Sequence, residues 1–130
     1  SNIISSYKKD YYNNNSGKYQ VIDIIWMHNL DFTIGNALKY IVRSGKKNKN
    51  ILDDLNKALW YISNFLESSY AHDRVPGKDN INLNNFFDVP KELNEIIVLL
   101  CDTKNFLYLS QIYKAKELLT DYIKNIKHES

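Results

Sequence analysis

Asn36, Lys39, Tyr40 and Arg43 recur at intervals of three and four residues, and Lys46 and Lys47 follow directly after. On a helix that spacing stacks the first four side chains on one face. Lys57 and Tyr61 repeat the pattern four residues apart, with Asp54 three residues before Lys57. Lysine and arginine take phosphate, an amide reads polar edges, and tyrosine rings stack on a planar base. The chemistry implied is recognition of an anionic small molecule with an aromatic part. A solvated helix face has the same composition, and cations near a helix C-terminus are favourable in any case. Residue types alone leave both readings open.

Other candidates are weaker. Arg74 lies beside His72 and Asp73 in a long loop, where it would act as a lid cation reaching bound phosphate or simply form a surface salt bridge. Glu92 and Glu95 pair at one position, and Glu117 and Asp121 at another. Four carboxylates on neighbouring helices can hold Mg²⁺ against a triphosphate, as in the all-α nucleotide pyrophosphohydrolases. The second pair is spaced one residue too wide for that pattern, so a solvated acidic face is the preferred reading. His28, His72 and His128 have no metal-ligand spacing, and no metal site is expected. His28 reads as a structural residue and Cys101 as a core thiol. No Walker-type loop and no dinucleotide fingerprint is present, and the chain has only four glycines.

The elements that position these residues follow from apolar periodicity. The spacing predicts a first helix over 19–28, ended by Asn29-Leu30. A second is expected over 32–44, with Asp31 as N-cap, Gly45 in the C-terminal cap position and Ile34, Leu38, Ile41 and Val42 as core. A third covers 51–70, with Leu52, Leu55, Leu59, Ile62 and Leu66 as its stripe. A long loop fills 71–88. A fourth helix runs from Pro90 to Cys101. A fifth runs over 104–127, capped by Asp102-Thr103 and apolar at Leu107, Ile112, Ala115, Leu118, Leu119, Tyr122 and Ile126. No β-alternation persists. The expected fold is all-α, a single-domain bundle of about five helices with a long loop between helices 3 and 4. The domain spans 1–130, with a flexible N-terminal arm over 1–17, a helical motif over 19–62 and a C-terminal helical pair over 90–127.

With 44% apolar and 25% charged residues, the 130-residue chain suits one soluble domain. The longest apolar run, Ile96 to Cys101, is far shorter than the ~20 residues that span a bilayer. No basic segment precedes an apolar one near residue 1, so no signal peptide is expected. One cysteine forms no internal disulfide, and a cytoplasmic setting is expected. The formal charge of +2 gives no reason to expect nucleic-acid binding. The charge is nevertheless two-sided. From Lys39 to Lys57 six cations face two carboxylates, whereas from Ala71 to Asp102 six carboxylates face three cations. That favours an anionic ligand on the first half or contact between subunits. Ten tyrosines exceed what this core can hide, so a homo-oligomer is expected.

The stretches Tyr19-Gln20-Val21-Ile22-Asp23, Leu30-Asp31-Phe32, Gly35 to Lys47 and Asp53 to Tyr61 resemble a small tailed-phage family catalogued as a domain of unknown function. That family includes a phage nucleotide kinase acting on deoxynucleoside monophosphates without a Walker loop. The resemblance covers about Tyr19 to Ile62. It implies that Asn36, Lys39, Tyr40, Arg43, Lys46, Lys57 and Tyr61 contact a nucleotide, that Phe32, Leu55, Ala58 and Trp60 pack, and that Gly35 admits a neighbouring helix.

The reading expected from the residues and the resemblance together is a nucleotide or cyclic-nucleotide binder of phage or prophage origin. It would act in the host cytoplasm and sequester its ligand, as phages do with second messengers of host defence. Binding would need no cofactor. The alternatives are a nucleoside-monophosphate kinase, a Mg²⁺-dependent nucleotide pyrophosphohydrolase, for both of which Mg²⁺ enters, and a protein-interaction module without enzymatic activity.

Overall fold

A computed structural model of the chain describes residues 12, 19–47, 49–69, 75–77 and 82–129. Its first helix, α1 (Val21–Met27), starts where the Gln20 backbone N–H donates to the Asp23 carboxylate at 2.7 Å. It stops at His28 because Asn29 turns into the left-handed region, at φ 53°. Asp31 then caps α2 (Phe32–Arg43), accepting the Ile34 N–H at 2.8 Å, as its sequence position predicts. Gly45 follows at φ +75°, the conformation in which a Cβ is costly. Asn50 caps α3 (Ile51–Glu67) through the Asp53 N–H at 3.1 Å. The chain resumes helical form in α4 (Lys91–Cys101) after Pro90, and ends in α5 (Tyr108–Glu129).

The fold is all-α, with no β-strand among the described residues and a long connection between α3 and α4. α2 packs most extensively on α3, α3 also rests on α5, α5 holds α4, and α1 lies against α2. The core takes Ile34, Leu38, Ile41 and Val42 from α2 as expected, together with Ile97 and Leu100 from α4 and Ile112 and Leu119 from α5. Gly35 is buried opposite α1, where a Cβ would come within 3.1 Å of Ile25 Cδ1, so the close helix approach expected of it is present. No described helix is long and apolar enough to cross a membrane.

The end of α3 and the start of α5 differ from periodicity. α3 ends at Glu67 instead of Tyr70. Its buried side is Asp54, Leu55, Ala58, Ile62 and Phe65, while Leu52, Leu59 and Leu66 are only half-buried. α5 starts at Tyr108, and Leu107 is exposed. Asp102-Thr103 does not cap it, because the Thr103 hydroxyl is used elsewhere. That hydroxyl donates to the His28 carbonyl at 2.7 Å and accepts the Gly77 N–H at 2.9 Å. A Cβ on Gly77 would lie 2.5 Å from His28 Cα, so glycine is required there. Beside it the Asn29 amide donates to the Val75 carbonyl at 2.7 Å. Residues 75–77 of the long loop are thus fastened to the α1–α2 turn. Leu83 and Phe87 enter the core, and the Asn94 amide holds the Leu83 carbonyl at 3.0 Å.

Candidate functional site

Arg43 ends α2 and Asp54 opens α3, and the two side chains meet across the helix pair. Arg43 Nε donates to Asp54 Oδ1 at 3.2 Å. The Asp54 side chain is fully buried and that of Arg43 is 11% exposed. Asp54 therefore belongs to the helix interface and not to the polar face on which its spacing from Lys57 had placed it. Burial opposes the Arg43 charge, but a hydrogen bond with the Tyr12 side chain and the Asp54 carboxylate outweigh it and raise its pKa above the ordinary guanidinium value.

The ring of Tyr40, one turn before Arg43, collects the cations. Its centroid lies 4.5 Å from the Arg43 guanidinium carbon, 5.0 Å from Lys39 Nζ and 5.6 Å from Lys57 Nζ. All three distances fall within the ~6 Å reach of a cation–π attraction. Tyr61 stacks on the same ring at 5.9 Å and 14°. Phe32 and Trp60 meet Tyr61 edge-on, at 6.2 Å and 5.0 Å. With four groups within 6 Å of its centre, Tyr40 organises the cluster and has little face left for a ligand ring. Lys57 is held from its other side by Asp53 at 3.1 Å, an exposed pair of small energetic weight.

The structure thus brings together Lys39, Tyr40, Arg43, Lys57 and Tyr61. Asn36 lies on the same helix but spends its amide on the Phe32 carbonyl at 2.8 Å. Lys46 is exposed by area yet close enough to its surroundings that partial desolvation lowers its pKa, with Asp88 acting in the opposite sense. Its charged neighbour is therefore Asp88, in the loop. Lys47 is exposed. Arg74 lies outside the described residues, as do His72, Asp73 and all of the N-terminal arm except Tyr12.

Two side chains expected to pack do not. Phe32 is 76% exposed and Trp60 61% exposed, because each lies on the outward side of its helix. Leu55 and Ala58 are buried as expected. Sequence reasoning missed Asp54 as the partner of Arg43. The signal was present: positions 54, 58 and 62 recur at four-residue spacing, and Ala58 and Ile62 are core. Tyr12 had no such signal, since its role depends on a contact made across the fold.

Beside this cluster, between α1 and α2, lie two adjoining hollows. One of about 230 Å³ is walled by Ile22, Ile25, Phe32 and Gly35, with Asp31, Asn36 and Lys39 at its polar margin. The other, of about 150 Å³, shares Ile22, Ile25 and Lys39 and is bounded by Tyr12 and Gln20. A larger hollow of about 360 Å³ lies elsewhere, beside His28, Asn82, Cys101 and Thr103. It carries no residue of the cation cluster, and two of its side chains serve the fold. Cys101 is buried, and desolvation, helped by Asp102, raises its pKa far above the thiol range, so it is no nucleophile. Among the described residues no group of three or more His, Cys, Asp or Glu side chains is placed to hold a metal ion. Glu92, Glu95, Glu117 and Asp121 do not converge.

Residues 7–63 match the family model of a protein of unknown function, DUF3310. The DUF3310 match takes in the whole cluster, from Tyr12 through Phe32, Lys39, Tyr40, Arg43, Asp54 and Lys57 to Tyr61. It leaves out α4, α5 and their acidic residues. No curated protein and no solved structure matches the chain.

Proposed function

We propose that the α2–α3 face binds a nucleotide, linear or cyclic, and retains it without turnover. The observation that carries this reading is the set of three cations around Tyr40 beside the exposed ring of Phe32. Cations and rings within one face match a ligand that is anionic at one end and planar at the other. Lys39 and Lys57 are the phosphate contacts, since Arg43 is committed to Asp54. Binding needs no metal in this reading, and Mg²⁺ would matter only to an enzyme.

Sequestration is preferred to phosphoryl transfer because Asp53, beside the cations, is paired with Lys57, and Asp54 is buried against Arg43 in the helix interface. A kinase needs a group to position or deprotonate the acceptor. The same reading retains a phage or prophage origin, action in the host cytoplasm and self-association through exposed rings, which sedimentation at several concentrations tests.

The direct experiment incubates the protein with mono-, di-, tri- and cyclic nucleotides, with and without Mg²⁺. The protein is then separated and denatured, and both fractions are identified by chromatography and mass. An unchanged nucleotide in the protein fraction, lost in the Lys39→Ala, Lys57→Ala double variant, is the expected result. A phosphorylated or shortened product would establish an enzyme. Recovery of no nucleotide at all would overturn the proposal.

A further inference from the structure

We infer that the base of the bound nucleotide seats in the α1–α2 groove, between Ile22 and Ile25 on one side and Phe32 on the other. This rests on the nucleotide reading above and names the part of the ligand that the cation cluster does not hold.

Lys39 is the joint. Its ammonium lies 5.0 Å from the Tyr40 centroid, within the cation cluster, yet the same side chain lines both hollows between α1 and α2. Phe32 is a second joint, edge-on to Tyr61 and also a wall of the larger hollow. A ligand with its phosphate at Lys39 and Lys57 therefore has a concave, largely apolar space directly beside it. The two hollows, about 230 and 150 Å³, lie side by side and reach the lower end of the roughly 300–1,000 Å³ common for small-ligand sites.

The lining suits a heteroaromatic ring. Ile22 and Ile25 offer aliphatic surface, and Phe32 offers an exposed ring for stacking. Polar atoms sit at the margin, where a base carries its own. The Asn36 amide nitrogen is used by the Phe32 carbonyl, which leaves its side-chain oxygen as the acceptor for an exocyclic amine. Trp60 is the competing platform. It meets Tyr61 edge-on, is largely exposed and lines neither of the hollows that Lys39 shares, so a base on it would stay largely in water.

The test is calorimetric titration of the full chain with AMP, GMP, CMP, dTMP and cyclic di-AMP, and with inorganic tripolyphosphate as a base-free probe. Ile22→Ser and Phe32→Ala change exposed side chains, and circular dichroism checks that their folds persist. Each should weaken the tightest-binding nucleotide at least tenfold and leave tripolyphosphate unchanged. Lys57→Ala should weaken both, and Trp60→Ala should move nucleotide affinity less than twofold. Loss of nucleotide binding in Trp60→Ala, with Ile22→Ser and Phe32→Ala unaffected, would move the base to the outer rings. That result overturns the groove as its seat while the nucleotide reading stands. Tripolyphosphate binding without nucleotide preference would also overturn the seat. Binding of neither probe class would overturn both readings.

Discussion

Arg43 and Asp54 form an ion pair at 3.2 Å across the α2–α3 interface, with the carboxylate fully buried. It is the most enclosed ion pair among the described residues, and it changes what Arg43 is for. A buried carboxylate that loses its cation remains desolvated without compensation.

Arg43→Ala is therefore expected to destabilise the fold by about 3–5 kcal/mol, measured by urea unfolding. This reverses the expectation from an exposed face, in which the same change would have left folding nearly untouched. The double change Arg43→Met, Asp54→Leu should recover most of the loss, because two apolar side chains leave no charge stranded. If Arg43→Ala unfolds at the wild-type urea concentration, the pair carries no structural weight.

Lys39→Ala and Lys57→Ala should behave in the opposite way. Neither cation is in a buried ion pair, so each should change stability by no more than about 0.5 kcal/mol. Each should weaken nucleotide binding about tenfold, and the effect should shrink as salt rises, because partly exposed charges are screened. Affinity that is independent of salt would count against phosphate contacts by these lysines.

Two glycines should respond differently to alanine. Gly35→Ala brings a Cβ to 3.1 Å from the end of the Ile25 side chain, which can move, and alanine favours the helix. The net change should stay within about 1 kcal/mol. Gly77→Ala places a Cβ 2.5 Å from the His28 backbone, which cannot move without breaking the Thr103 bonds. It should cost about 2 kcal/mol or more. Thr103→Val should cost a comparable amount, about 2–3 kcal/mol for two buried bonds, and Thr103→Ser should restore most of it. Thermal melts of the four variants separate these outcomes.

Cys101 should couple stability to high pH. Burial keeps the folded thiol protonated, whereas the unfolded thiol ionises near 9.0. Above that pH the unfolded state has released a proton that the folded state keeps. Stability should fall by about 1.4 kcal/mol per pH unit from this group, and below it the contribution is complete. The wild type minus Cys101→Val difference in unfolding free energy between pH 8 and pH 10.5 measures this slope. At neutral pH the folded thiol should resist thiol reagents and react only on unfolding. Rapid labelling of the folded protein would contradict its burial.

Much of the architecture was legible in the chain itself. Five apolar periodicities, the Asp31 cap and the Gly45 stop are local features, and local hydrogen bonding and helix geometry suffice to decide them. The co-facial set Lys39, Tyr40 and Arg43 was legible for the same reason, because three- and four-residue spacing fixes a helix face. What only the tertiary structure decided depends on which neighbour a face meets. Spacing puts Asp54 near Lys57, but the approach of α2 to α3 buries it against Arg43. The family resemblance implies that Phe32 and Trp60 pack, but the packing of the bundle turns them to solvent. Thr103 looks like a helix cap, yet its hydroxyl joins His28 and Gly77, residues 75 and 26 positions away. Periodicity reports the direction of a side chain about its own helix axis. It carries no information on the distance between helices, and that distance separates a solvated cation from one half of a buried pair.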